Sequence, residues 1–123
     1  MKQIVYTKYG PPSVLKVQEK RTPTPHKNEV LIRNYFTGIN FAEIMARMHL
    51  YPGAPKPPAT LGGEGCGIIE SIGEDVKKFK KGDRVIVLTH KGSYATHLCS
   101  KEDLVMPLPD QFSFEEGAAF PVI

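Results

Sequence analysis

Residues 58–69 read "PATLGGEGCGII", with four glycines (Gly62, Gly63, Gly65 and Gly67) set around Glu64 and Cys66. Such a cluster either cradles a phosphate or lets one backbone approach another, and the two readings lead to different folds. A dinucleotide fingerprint needs G-x-G-x-x-G after a strand and opening into a helix, because the helix N-terminus receives the pyrophosphate. Here Gly63, Gly65 and Gly67 give G-x-G-x-G, and Ile68-Ile69-Glu70-Ser71-Ile72 continues as a strand with the two isoleucines at its buried middle. No helix dipole is available at this point. The stretch reads as a strand whose small residues allow bending and close packing.

Further β-type runs stand on both sides of it: "KQIVYTK" (2–8), "VLKVQE" (14–19), "EVLIRNYF" (29–36), "DRVIVL" (83–88), "SYATHL" (93–98) and "LVMPL" (104–108). Turn chemistry separates them at Gly10-Pro11-Pro12, Pro23 to Asn28, Gly73-Glu74-Asp75, Lys81-Gly82-Asp83 and Lys91-Gly92. Strands this short and close predict a mostly β domain with short helices, folded as a compact, mostly antiparallel barrel. Two helices are expected. The first, "NFAEIMARM" (40–48), has Asn40 as N-cap and Glu43 three residues on, a capping-box pattern. Phe41, Ile44, Met45 and Met48 fall at helical spacing and predict its buried stripe. The second begins at Ser113, again with a glutamate, Glu116, three residues later. Between the first helix and the glycine cluster, "HLYPGAPKPPAT" (49–60) carries four prolines, a stiff irregular loop of the kind that lines binding sites.

The chain has 123 residues, 41% apolar and 24% charged, the balance of one soluble globular domain. No apolar run approaches the roughly 20 residues needed to cross a bilayer. The opening "MKQIVYTKYG" has no hydrophobic signal region, and Cys66 and Cys99 form no Cys-x-x-Cys pair. Both features predict a cytoplasmic, reducing environment. A net charge of +3, spread along the chain, is too weak to predict a nucleic-acid partner. "SFEEGAAFPVI" (113–123) starts like a helix and stops on apolar residues, as expected of a piece of a longer protein.

Taken in order, "TGINFAEIMARMHLYP", "LGGEGCGIIESIGEDV", "FKKGDRVIVL", "GSYATH" and "LPDQFSFEEGAA" resemble the N-terminal catalytic domain of the medium-chain dehydrogenase/reductase superfamily. Within it the chain looks most like the zinc-independent quinone oxidoreductases, and "NFAEIMAR" followed by "LY" is also similar to the synaptic-vesicle membrane protein branch. The resemblance implies a GroES-like β-barrel domain over residues 1–123. It also implies a Rossmann domain, absent from this chain, that would follow from residues 113–123 and hold NADP(H). In the zinc alcohol dehydrogenases a cysteine stands at Asn40 and a histidine at Gly63, and the four-cysteine zinc lobe has no counterpart here. The resemblance therefore implies no metal, since catalytic zinc needs three protein ligands and an open position. It places Asn40 beside both nicotinamide and substrate, and Tyr51 beside the substrate. A second tyrosine of the family falls at Met45, so that donor is lost. The implied activity is hydride transfer from NADPH to a quinone or activated enone, with the parent a homodimer. Two alternatives stay open: a vesicle- or lipid-associated trafficking protein that keeps the reductase fold, and an enoyl-thioester reductase.

The remaining polar residues have simpler readings. Glu64 is expected to make a structural hydrogen bond. His97 and Cys99 share one strand face without the further ligands a metal would need. Cys66 reads as an inert buried thiol. His26, His49 and His90 fall in turns or loops and are expected in solvent. "KKFKK" (77–81) is a basic turn whose default is a solvated surface, with weak membrane association the alternative.

Overall fold

A computed structural model describes residues 1–119 of the chain. β1 (Lys2–Tyr6) and β2 (Leu15–Glu19) form an antiparallel pair, with a single helical turn at Pro12–Val14 after the Gly10-Pro11 reversal. The main sheet has five strands: β3 (Glu29–Thr37), β4 (Glu64–Ile72), β5 (Arg84–Leu88), β6 (His97–Lys101) and β7 (Val105–Pro107). Their spatial order is β6-β3-β4-β5-β7, and every pairing is antiparallel. The small sheet is tied to the rest by isolated bridges, Gln3 to Ala95 and Tyr6 to Ala59. Among the described residues the large sheet stays open between β6 and β7, so the expected barrel is realised as a half-barrel. The fourth strand of that sheet also starts later than expected. Ser93 and Tyr94 belong to a turn whose N–H groups bond the carbonyls of Gly62 and Leu61, and β6 begins only at His97.

The alternating and continuous apolar runs build the main core. Val30, Ile32, Ile69, Val85, Val87, Leu98 and Val105 form one buried cluster, with Phe79 from the basic turn packed against it. Each such side chain contributes about 1.5–3 kcal/mol on burial. A second cluster, Tyr6, Val14, Ala46 and Leu61, holds β1 and the first helix to the start of the glycine stretch.

Three of the four glycines, Gly62, Gly65 and Gly67, serve close approach, as the sequence predicts. β3 and β4 lose register between Asn34 and Phe36. A Cβ at Gly67 would overlap the Arg33 carbonyl just before this irregularity. Asn34 repairs the interrupted ladder with its amide: Nδ2 donates to the carbonyls of Ser93 (2.8 Å) and Ala95 (3.3 Å), and Oδ1 accepts the Cys66 N–H (3.0 Å). Buried backbone groups seldom go unpaired, and here a side chain meets that demand.

The helices are α1 (Phe41–Arg47) and α2 (Phe114–Ala119). The capping box expected at Ser113 is present: Ser113 Oγ accepts the Glu116 N–H at 3.1 Å, and Glu116 accepts the Ser113 N–H at 3.0 Å. The connection expected over 113–123 extends into residues 120–123, which lie outside the described residues. The buried stripe expected on α1 is a correction. Phe41 is 72% exposed, Met48 50% and Ile44 37%, and only Ala46 is buried in this helix. The α1 periodicity is real, but the short sheet beneath it covers one small residue.

Candidate active site

Asn40 sits at the junction of β3, α1 and β4. Its backbone N–H donates to Glu43 Oε1 at 3.2 Å, which sets the start of α1. Its side-chain Nδ2 donates to Glu64 Oε1 at 2.9 Å. Glu64 is 2% exposed, at the first position of β4, so the amide is gripped from below by a buried carboxylate. This is the structural hydrogen bond expected of Glu64, and its recipient is the residue singled out for chemistry. The space for that carboxylate comes from Gly38, where a Cβ would overlap Glu64 Oε1. The second amide N–H of Asn40 has no protein partner among the described residues.

Tyr51 lies in the proline-rich loop, in a turn closed by the Ala54 N–H on the Tyr51 carbonyl at 3.3 Å. Its ring is 46% exposed. Asn40 and Tyr51, 11 positions apart in sequence, line one cavity of about 220 Å³ together with Glu43, Gly63, Thr89 and His90. At Gly63 the nearest atom to a built Cβ is the Thr89 carbonyl at 3.4 Å, an ordinary contact, so glycine there leaves free space on the cavity wall.

A second layer fixes Glu43. The Tyr94 hydroxyl donates to Glu43 Oε1 at 3.3 Å, on the same oxygen that accepts the Asn40 N–H. Burial, followed by the adjacent Glu43 charge, pushes the Tyr94 phenol well above the usual tyrosine range. It stays a donor. Neither Tyr94 nor the His90 position could be joined to Asn40 from sequence, because both arrive through the turn 89–94 that docks on Leu61–Gly63.

The other candidates fall elsewhere. His97 contacts Thr96 Oγ1 at 3.0 Å and lies 3.6 Å from the Glu70 carboxylate, on β6 and away from the cavity. Cys99 stands beside it on β6, and burial raises its thiol to about 11. Cys66 is fully buried, with its thiol likewise pushed up to about 11, in keeping with an inert structural role. His26 and His90 are exposed, as expected. His49 is exposed but stacks on Tyr9, centroids 3.9 Å apart, with its backbone at φ 64°. In the basic turn Lys78 pairs with Asp103 at 3.3 Å and Lys80 with Asp83 at 3.0 Å. Two of its four lysines are thereby committed to neighbours, which weakens the turn as a membrane contact.

A half-barrel that presents a capped helix, a buried glutamate and a proline-rich loop around one cavity defines a class. The chain belongs to the alcohol dehydrogenase GroES-like domain family, whose model matches residues 26–110. Among its relatives are a synaptic vesicle membrane protein VAT-1 homolog of Danio rerio, 40% identical over 97% of this chain, and the quinone oxidoreductase of Mus musculus, 39% identical over 99%. The crystal structure of Escherichia coli quinone oxidoreductase complexed with NADPH superposes with a TM-score of 0.92 at 36% identity, covering 98% of this chain. The chain spans 25%, 38% and 37% of these three proteins respectively. No helix among the described residues is long and apolar enough to cross a membrane.

Proposed function

We propose that this chain is the substrate-covering domain, residues 1–123, of an NADPH-dependent, zinc-free reductase of quinones or activated enones. The observation that carries the reading is the convergence of Asn40 and Tyr51 on one cavity, with the Asn40 amide oriented by a buried carboxylate. A bound reduced nicotinamide supplies the hydride. The chain fits only the nicotinamide end of such a cofactor, through Asn40, because its glycine stretch runs into β4, with Gly65 and Gly67 against β3, and opens no helix that could receive phosphates. The phosphates would be held by a separate dinucleotide-binding domain.

Hydride addition to a quinone or enone places negative charge on the carbonyl oxygen. Preorganised neutral donors stabilise such charge strongly in a partly dry site. Asn40 offers its uncommitted amide N–H and Tyr51 its phenol O–H. An electron-poor acceptor needs no Lewis acid beyond these, whereas alcohol oxidation does. Support for the zinc-free reading is the donor set itself: an amide at position 40 and a glycine at position 63 offer no thiolate or imidazole.

The test uses the full-length protein that carries this chain, with NADPH and 1,4-naphthoquinone in the presence of EDTA. Turnover is expected, with kcat/KM reduced about 100-fold in Asn40→Ala, the typical effect of removing one such donor. Full activity in both Asn40→Ala and Tyr51→Phe would overturn the assigned donors. Stoichiometric metal in active enzyme would overturn the zinc-free chemistry, and turnover of crotonyl thioesters in place of quinones would move the protein to the enoyl-thioester reductases.

A further inference from the structure

Reduction of a carbonyl acceptor is complete only when the oxyanion receives a proton. Asn40 cannot give one up, and a phenol is a weak acid at neutral pH. We propose that His90 is the proton donor of the reaction, an inference that rests on the quinone-reductase reading above. His90 lines the same cavity as Asn40 and Tyr51. Its backbone is held there by a short turn fastened at both ends to the glycine stretch: the Thr89 N–H bonds the Gly63 carbonyl at 2.8 Å, and the Gly92 N–H bonds the Leu61 carbonyl at 3.3 Å. Inside the turn, Thr89 Oγ1 donates to the Lys91 carbonyl at 3.1 Å, and Gly92 takes the left-handed conformation, φ 99°.

The alternatives within the cavity are already engaged. The Glu43 carboxylate accepts from the Asn40 N–H and from Tyr94. Among the described residues His90 makes no hydrogen bond or ion pair, so both ring nitrogens are available. Glycine at position 63 leaves wall space beside the turn that carries it. Its exposure lets it recover a proton from solvent after each cycle.

The step balances as follows. The reduced nicotinamide is oxidised and delivers one hydride, two electrons with one proton, to the acceptor, leaving an oxyanion held by Asn40 and Tyr51. The imidazolium N–H bond of His90 breaks, an O–H bond forms on the product, and neutral His90 is reprotonated from water.

The experiment measures pH–rate profiles of quinone reduction for the full-length wild type, His90→Asn and Lys91→Ala. General-acid catalysis accelerates a step by typically 10²–10⁴-fold. Expected is a wild-type kcat that falls as pH rises. In His90→Asn, kcat should drop about 100-fold at the acid end with KM little changed, and the pH dependence should be lost. Added imidazole should restore rate to His90→Gly because the position is open to solvent. Lys91→Ala should behave as wild type. Independently of turnover, carbethoxylation of His90, mapped by mass spectrometry, should slow in saturating quinone. A wild type that reduces quinone alongside a His90→Asn variant with the same profile overturns the role of His90 and leaves the reductase reading standing. Failure of the wild type to reduce any quinone or enone overturns both.

Discussion

At the scale of single residues, the decisive pair is Gly38 and Glu64. Neither looks catalytic in sequence, and a glycine beside a helix start suggests only a turn. In three dimensions the missing side chain at 38 is the room in which the Glu64 carboxylate sits, and that carboxylate aims the Asn40 amide. Gly38→Ala should therefore destabilise the chain by about 2 kcal/mol in urea denaturation, the usual range for overpacking a filled interior. The same substitution should lower kcat/KM in the full-length protein by misplacing Asn40. Glu64→Gln keeps an acceptor at the same place and should preserve more activity than Glu64→Ala, which leaves the amide without its anchor. Equal loss in Gln and Ala would mean that the Glu64 charge matters more than its geometry. Asn40 and Tyr51 were legible as candidates only because a capping residue and a tyrosine in a proline-rich loop matched a family pattern. Their meeting at one site was legible only through that resemblance, since from the residues alone it depends on how the loop 49–60 folds back over Leu61–Gly63.

At the scale of elements, strand positions followed from the sequence because alternation and turn residues are local signals. The capping boxes at Asn40 and Ser113 were legible for the same reason. β6 was displaced by four residues because Tyr94 and Thr96 carry β-type side chains while the backbone N–H groups of Ser93 and Tyr94 are drawn into a turn on Gly62 and Leu61. The α1 stripe failed differently. Helical spacing reports that apolar side chains share a face, yet it is silent on what covers that face. Ile39 (75%), Phe41 (72%) and Leu50 (59%) all stand open in this chain. Phe41→Ser should accordingly change the stability of residues 1–123 by less than about 0.5 kcal/mol, the usual bound for surface positions. Ile69→Ala, at 1% exposure in the centre of β4, should cost about 2–5 kcal/mol. Urea midpoints of the two variants check the contrast, and a large loss in Phe41→Ser would show that the α1 face is covered within the chain after all.

At the scale of the whole molecule, titratable groups whose surroundings shift them make the fold's stability depend on pH at both ends. On the acid side, the Lys80 backbone N–H and then its ammonium hold Asp83 below the ordinary carboxylate range. A folded-state pKa below the unfolded one means the unfolded chain binds the proton first, so this stabilisation is present at neutral pH and is lost as pH falls through the folded value. On the alkaline side the sign reverses. Burial raises Cys66 and Cys99 to about 11, and it raises Tyr94 and Tyr6 above their ordinary values as well. The unfolded thiols ionise first, near the ordinary thiol value of 9.0, so the folded state is progressively disfavoured between about pH 9 and 11. Thermal melts of residues 1–123 should thus show a plateau through neutral pH and a steep fall above pH 9. Cys66→Ala should flatten part of the alkaline fall while lowering stability at pH 7, because the fully buried sulfur also packs against Ile86, Leu108 and Ala118. An alkaline limb of unchanged steepness in Cys66→Ala would assign the fall to Cys99 and the tyrosines instead. Tyr94→Phe then separates the two, and because Tyr94 also holds Glu43, that substitution should weaken the start of α1 as well.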